Sequence, residues 1–270
     1  MSKQNNGSNI NSTWMLAFYL TVLSLSAFLI CQTTNTNFTF AQVDNNTANG
    51  DRQPNIDATN LFNEKTMVLG NNVKNLVILI PNEGHHGPNE DKESRFLEQQ
   101  FVPETAVINP GTTVAWFNGD VGHERTVDVK DTNGDSLLFS TGPIEDMQVS
   151  KTNTFSKLGT YDYEAEGDTG VTMRGSIIVD NVQSPVTNSV NSGVDTVGVL
   201  MVPTQDKDKY VQEVKDGGLT VDSTHDFNDL RGGQKGTGDV QTLIVWTSEG
   251  KDLSSMISPL SEISKTLPYS

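Results

Sequence analysis

Metal ligation and acid–base chemistry draw on a short set of side chains, and this chain has few of the scarcest, with four histidines and one cysteine. Two histidines are adjacent, in Glu83-Gly84-His85-His86-Gly87-Pro88-Asn89-Glu90. A third closes the run Trp116-Phe117-Asn118-Gly119-Asp120-Val121-Gly122-His123, and the fourth, His225, stands alone in Ser223-Thr224-His225-Asp226. Imidazoles with nearby carboxylates suit Cu(II) or Zn, whereas a thiolate is what selects Cu(I) and blue-copper chemistry. The one cysteine, Cys31, lies in the N-terminal apolar stretch, so an exported mature form would carry neither disulfide nor thiolate ligand. No nucleophile–base–acid set announces itself and there is no G-x-S-x-G, so the chain is not expected to be an enzyme.

A second block, Gly159-Thr160-Tyr161-Asp162-Tyr163-Glu164-Ala165-Glu166-Gly167-Asp168-Thr169-Gly170-Val171-Thr172-Met173-Arg174-Gly175, completes a pattern with the first. Together they resemble the cupredoxin family, the plastocyanin-like β-sandwiches that hold one copper at one end. In that family W-x-N-x-D-x-x-H delivers the first histidine ligand. A later Y-x-Y-x-C-x-x-H-x-x-x-x-M-x-G delivers a cysteine, a second histidine and an axial methionine. This chain keeps Tyr161, Tyr163, Met173 and Gly175, but has Ala165 at the cysteine position and Asp168 at the histidine position. The resemblance therefore implies the scaffold with a remodelled site. Blue copper needs two histidines and a cysteine in a plane, and Ala165 offers no donor. Asp168 is a hard oxygen donor, with Glu164 and Glu166 flanking it as substitutes. The resemblance covers about Leu76 to Asp180 and nothing outside it.

The elements that must position these groups read as follows. Residues 1–41 form a signal peptide or N-terminal membrane anchor, with Trp14 to Cys31 almost wholly apolar. Lys3 before that run, and no Lys or Arg after it until Arg52, place the bulk of the chain outside the cell, extracellular or in a periplasm-like space. Residues 42–75 are an Asn/Thr-rich tether. Residues 76–180 carry short strands between turn residues, the pattern of a Greek-key β-sandwich. Expected strands include Leu76 to Ile80, Phe96 to Phe101, Ala106 to Asn109, Thr112 to Asn118, Thr126 to Val129, Leu137 to Phe139, Val149 to Phe155, Thr160 to Tyr163 and Gly175 to Val179. Residues 181–195 are a linker. Residues 196–270 read as a small, separate α/β domain, with Leu253, Met256, Ile257, Leu260 and Ile263 on one helical stripe. The fold class is thus mainly β, a cupredoxin-like sandwich followed by that domain.

Strand direction gives a placement. With the end of Ile80 taken as the top, Phe96 to Asn109 descends, Pro110-Gly111 turns, and Thr112 to Asn118 climbs back. The His85-His86 loop, the His123 loop and the Glu164 to Thr172 loop then share the top. His85, His86, His123, Asp168 and Met173 are the expected metal ligands there. Other features carry less. Arg231-Gly232-Gly233-Gln234-Lys235-Gly236-Thr237-Gly238 has its lysine before the glycine of a P-loop and joins two strands, so it reads as a hairpin connection. His225 reads as a sheet-edge residue. Eighteen basic against 34 acidic residues give a formal charge of −16, which excludes a nucleic-acid partner.

The expected function is metal binding, with copper ahead of zinc, at a remodelled non-blue site, for metal handling or contact with a surface protein partner; the membrane is met only through the N-terminal segment. The rival from another class is a metal-free interaction or structural module on the same fold. A third reading is a redox enzyme with a histidine–carboxylate copper.

Overall fold

Hydrophobic alternation and short apolar runs dominate the chain, and the computed structural model turns them into two six-stranded sheets. It describes residues 56–82, 96–132, 134, 136–166, 172–181, 194–230, 240–251 and 253–266. The order along the chain is α1 (Ala58–Glu64), β1 (Thr66–Val68), β2 (Asn75–Ile80), β3 (Thr105–Ile108), β4 (Thr112–Asn118), β5 (Arg125–Lys130), β6 (Leu137–Ile144), β7 (Asn153–Phe155), β8 (Gly159–Glu166), β9 (Thr172–Val179), β10 (Val194–Pro203), α2 (Lys207–Asp216), β11 (Thr220–Asn228), β12 (Val240–Glu249) and α3 (Leu253–Lys265). The front sheet runs β1-β3-β9-β8-β5-β6 and the back sheet β11-β12-β10-β2-β4-β7. Both are mixed. In the back sheet β2 is parallel to β4 on one side and to β10 on the other.

The sheets pack face to face through large aromatics. Trp116 of β4 meets Tyr163 of β8 edge-on with ring centres 5.4 Å apart, and Phe155 of β7 meets Tyr161 of β8 at 5.0 Å. On the front sheet burial alternates: Arg125, Val127 and Val129 of β5 and Tyr161, Tyr163 and Ala165 of β8 point inward, with polar residues between them. That is the signature of a sheet with one wet face. On the back sheet Leu76 to Ile80, Thr196 to Pro203 and Gln241 to Ser248 are buried throughout. Its second face is covered by α2, which packs on β10 and β12, with α3 against α2. Continuous apolar runs are what two-sided burial demands.

Each sheet also seats one aromatic on a cross-strand glycine. Tyr163 lies over Gly175 and Trp246 over Gly198, where a Cβ would come within 2.4 and 2.2 Å of the ring, so no larger residue fits either position.

Several elements depart from the sequence expectation. The stretch 42–75 was expected to be a tether, yet its last part is built into the fold. Asp57 caps α1 by accepting from Thr59 N–H at 2.8 Å, Leu61, Met67, Leu69 and Val73 are buried, and β1 adds to β3. The region 196–270, expected to stand apart, supplies β10, β11 and β12 to the same sheet as β2 and β4. Phe96 to Phe101 forms no strand. Phe96, Leu97 and Phe101 are buried nonetheless, and Gln99 Nε2 donates to the carbonyls of Leu61 and Phe62, while pairing with β2 is confined to a bridge between Leu79 and Val102, just before Pro103. The expected strand Val149 to Phe155 shortens to β7, because Ser150 Oγ takes the Trp116 N–H at 3.0 Å in place of a ladder carbonyl. The N-terminal segment with Cys31, the linker residues 182–193 and the 231–238 loop lie outside the described residues. No helix among the described residues is long and apolar enough to cross a membrane.

Candidate metal centre at one end of the sandwich

The parallel pair β2–β4 ends in register, Ile80 opposite Asn118, and Gly119 N–H donates to the Ile80 carbonyl at 2.9 Å. The chain therefore leaves both strands at the same end. β5 begins there, and its Arg125 Nη1 donates to the carbonyl of Glu166, the last residue of β8, at 3.2 Å. The β8–β9 ladder closes at the same place with Glu166 opposite Thr172. The connections after Ile80, from 118 to 125 and from 166 to 172 thus start from one end of the sandwich. His85, His86 and Asp168, expected on two of them, lie outside the described residues.

The third connection can be built atom by atom. Asn118 is fully buried, and its Nδ2 donates to the carbonyls of His123 (2.7 Å) and Ile144 (2.9 Å), while its Oδ1 accepts from Asp120 N–H (3.0 Å). This folds the six residues into a closed loop, as Asx side chains do in turns. Gly122 has a left-handed φ of 81° and donates its N–H to Asp146 Oδ2 at 3.2 Å. Inside the loop sits the Asp120 carboxylate, wholly out of solvent. Its Oδ2 accepts from Arg125 Nε at 3.0 Å and from Nη2, and its Oδ1 lies 3.5 Å from His123 Nδ1. Burying a carboxylate is costly unless it is paired, and breaking such a pair costs about 3–5 kcal/mol. A planar guanidinium suits the task because its fork meets one carboxylate with two donors.

The positions of the second motif sit differently from expectation. Met173, expected on a loop, lies on β9 directly opposite Ala165 of β8, and both are buried in the core. Opposed residues of an antiparallel pair share a face, so the thioether and the methyl project together into the core one pair from the end of the β8–β9 ladder. Tyr163, two residues from Ala165, is fully buried with its hydroxyl 3.4 Å from the Pro103 carbonyl, and burial pushes its pKa far up, so it is a neutral core phenol. His225 is on the edge strand β11, tilted against Phe62 of α1 with ring centres 4.8 Å apart, and belongs to a packing contact.

A thiolate copper centre does not fit these residues, since Ala165 has no donor atom. Among the described residues no group of three or more His, Cys, Asp or Glu side chains could hold a metal ion. A histidine-based centre would combine His123 with donors from the two neighbouring connections. Neither Arg125 nor Asp146 belongs to a motif of the sequence. The signal for Arg125 was its phase: it shares the inward face of β5 with Val127 and Val129, and an inward arginine requires a buried acceptor.

No protein-family model matches the chain. No curated protein matches it significantly. Among solved structures it is similar to a purple cupredoxin from Nitrosopumilus maritimus, with 25% identity and a TM-score of 0.29 over 39% of this chain and 99% of that one. It is similar to reduced rusticyanin at 21% identity and a TM-score of 0.29, over 43% of this chain and 85% of that one. A Cu-containing nitrite reductase from Thermus scotoductus SA-01 matches at 19% identity and a TM-score of 0.33, over 44% of this chain and 29% of the reductase.

Proposed function

We propose that this is an exported, cupredoxin-like metal-binding protein that holds one ion, copper ahead of zinc, through imidazoles and without a thiolate. Its role is metal handling or partner contact at the cell surface. The observation that carries the reading is the seating of His123 at the end from which three connections start, with Nδ1 3.5 Å from the buried Asp120 carboxylate. A carboxylate beside one imidazole nitrogen is the kind of outer partner that typically supports metal-binding histidines. His85 and His86 follow β2, and Asp168 lies between β8 and β9, so the sequence supplies further donors to the same end. The Met173 thioether is a soft donor and would weigh more for Cu(I) than for Cu(II).

One observation favours the metal-free interaction module instead. Asp120 already has a cation, Arg125, so this buried carboxylate is neutralised without a metal.

Metal content of the purified full chain, before and after chelation and reloading, separates the two readings. The metal-binding reading expects one equivalent of ion that returns on reloading, and a Cu(II) form that is pale, without an intense thiolate-to-copper band. His123→Ala should weaken binding by at least about 100-fold, the upper end of what losing an outer partner costs. Binding should also fall on acidification, because only the neutral ring ligates. Absence of stoichiometric metal in wild type would overturn the metal-binding reading.

A further inference from the structure

We infer that the C-terminal helix α3 is a positioning element for the His123 loop, acting through Ser261 and the turn 145–148. The role of the loop as a ligand carrier rests on the metal-binding reading; its support by α3 does not. Ser261 Oγ donates to the Met147 carbonyl at 2.6 Å, in a buried bond that spans 114 residues of sequence. A helical serine usually turns to its own preceding turn or to water, so a bond to a distant carbonyl marks a docking contact.

Met147 is 5% exposed and holds a left-handed φ of 57°, which side chains larger than glycine seldom adopt. Both of its main-chain groups are in use, the N–H on the Asn118 carbonyl at 2.8 Å and the C=O on Ser261. The Asn118 N–H returns a bond to the Gln148 carbonyl at 2.9 Å, so the turn is clamped to the end of β4 in both directions. From the same turn Asp146 Oδ2 holds Gly122 N–H, and the preceding Ile144 carbonyl holds Asn118 Nδ2. Asn118 and Gly122 are the residues that shape the loop presenting His123. The turn is therefore gripped by the site loop on one side and by α3 on the other. Met256, Leu260 and Ile263, all buried, hold the helix in place. This assigns the C-terminal region a task at the site end.

The test uses the full chain, metal-free, with amide hydrogen exchange read by NMR. Ser261→Ala is expected to raise exchange at Gly122, His123 and Met147 about tenfold while leaving β8 and β9 unchanged, as local opening does. Ser261→Thr, which keeps the hydroxyl, should restore protection. Zinc affinity of Ser261→Ala should fall severalfold. Unchanged exchange at Gly122 and His123 would overturn the inference, whatever happens to zinc. If wild type binds neither zinc nor copper while the exchange pattern appears, the metal reading fails and the support by α3 stands. Should Ser261→Ala loosen the whole protein, Leu260→Val trims the helix contact more gently. It should affect Gly122 and His123 before β8 and β9, and an equal effect everywhere would overturn the inference.

Discussion

The two sheets solve the same packing problem in different ways. The front sheet alternates, and its outer face is polar and charged, with Lys130 Nζ 3.1 Å from Glu164 and with Asp162 and Arg174 nearby on β8 and β9. All of its partners arise between Thr66 and Val179. The back sheet has no wet face over its central strands, and β2 takes its second neighbour from far along the chain, with Asn75 Nδ2 donating to Thr196 Oγ1 across 121 residues at 3.1 Å. A sheet with one wet face can be completed locally, whereas one buried on both faces needs helices and strands from elsewhere. The site end draws on both, since Arg125 belongs to the front sheet and Asn118 to the back.

The largest test of this contrast is truncation. A fragment of residues 76–180 keeps β3, β9, β8, β5 and β6 but strips β10 from β2, together with β11, β12 and the helices that pack on them. It is expected to lack a cooperative thermal transition, because the lost burial compares with the whole stability of a domain, about 5–15 kcal/mol. A soluble fragment that melts cooperatively would restore the independence implied by the sequence. Next come the two glycine seats. Gly198→Ala drives a Cβ into the Trp246 ring on the helix-covered face, and Gly175→Ala into Tyr163 between the sheets. Each should cost about 1–3 kcal/mol in denaturant unfolding, with Gly198 the larger. A harmless Gly198→Ala would mean that the covered face has slack.

The smallest effect is at the back sheet's edge, where Asp222 of β11 accepts from Ile56 N–H at 2.6 Å. Burial pushes its carboxyl above the ordinary 3.8, only partly offset by that bond. The folded form thus holds the proton more tightly than the unfolded, so stability falls as pH rises from 3.8 through the raised value and is level above it. Asp222→Asn keeps an acceptor and should flatten this part of the melting-temperature profile. A steeper profile in the variant would reverse the sign assigned here.

Much of the fold was legible because periodicity is local. The strands Leu76 to Ile80, Thr112 to Asn118 and Gly175 to Val179, and the helical stripe from Leu253 to Ile263, appear within a few residues of their expected bounds. What those apolar runs could not tell was their neighbour: a run such as Leu-Val-Ile-Leu-Ile announces burial on both faces but not which segment provides it. Polar composition hid α1 and β1, whose few apolar residues, Leu61, Met67 and Leu69, suffice because each is wholly buried. At the site, Asn118 and Asp120 were readable as members of the motif that ends in His123. The links from Asp146 and Ser261 were not, since hydrogen bonds across 24 and 114 residues leave no periodic trace.

The double parallel partnership of β2 also has a consequence in time. Synthesis at about 5–20 residues per second leaves roughly 6–24 s between the appearance of β2 and that of β10, about 120 residues later. Throughout that interval the first half of β2, Asn75 to Val77, keeps an open edge while Val102 already bridges Leu79, and open apolar edges recruit other chains. The nascent protein is most vulnerable to association then, and a chaperone would have most to shield there. Slow translation between residues 80 and 194 should lower the yield of soluble protein, whereas a pause after Pro203 should cost little.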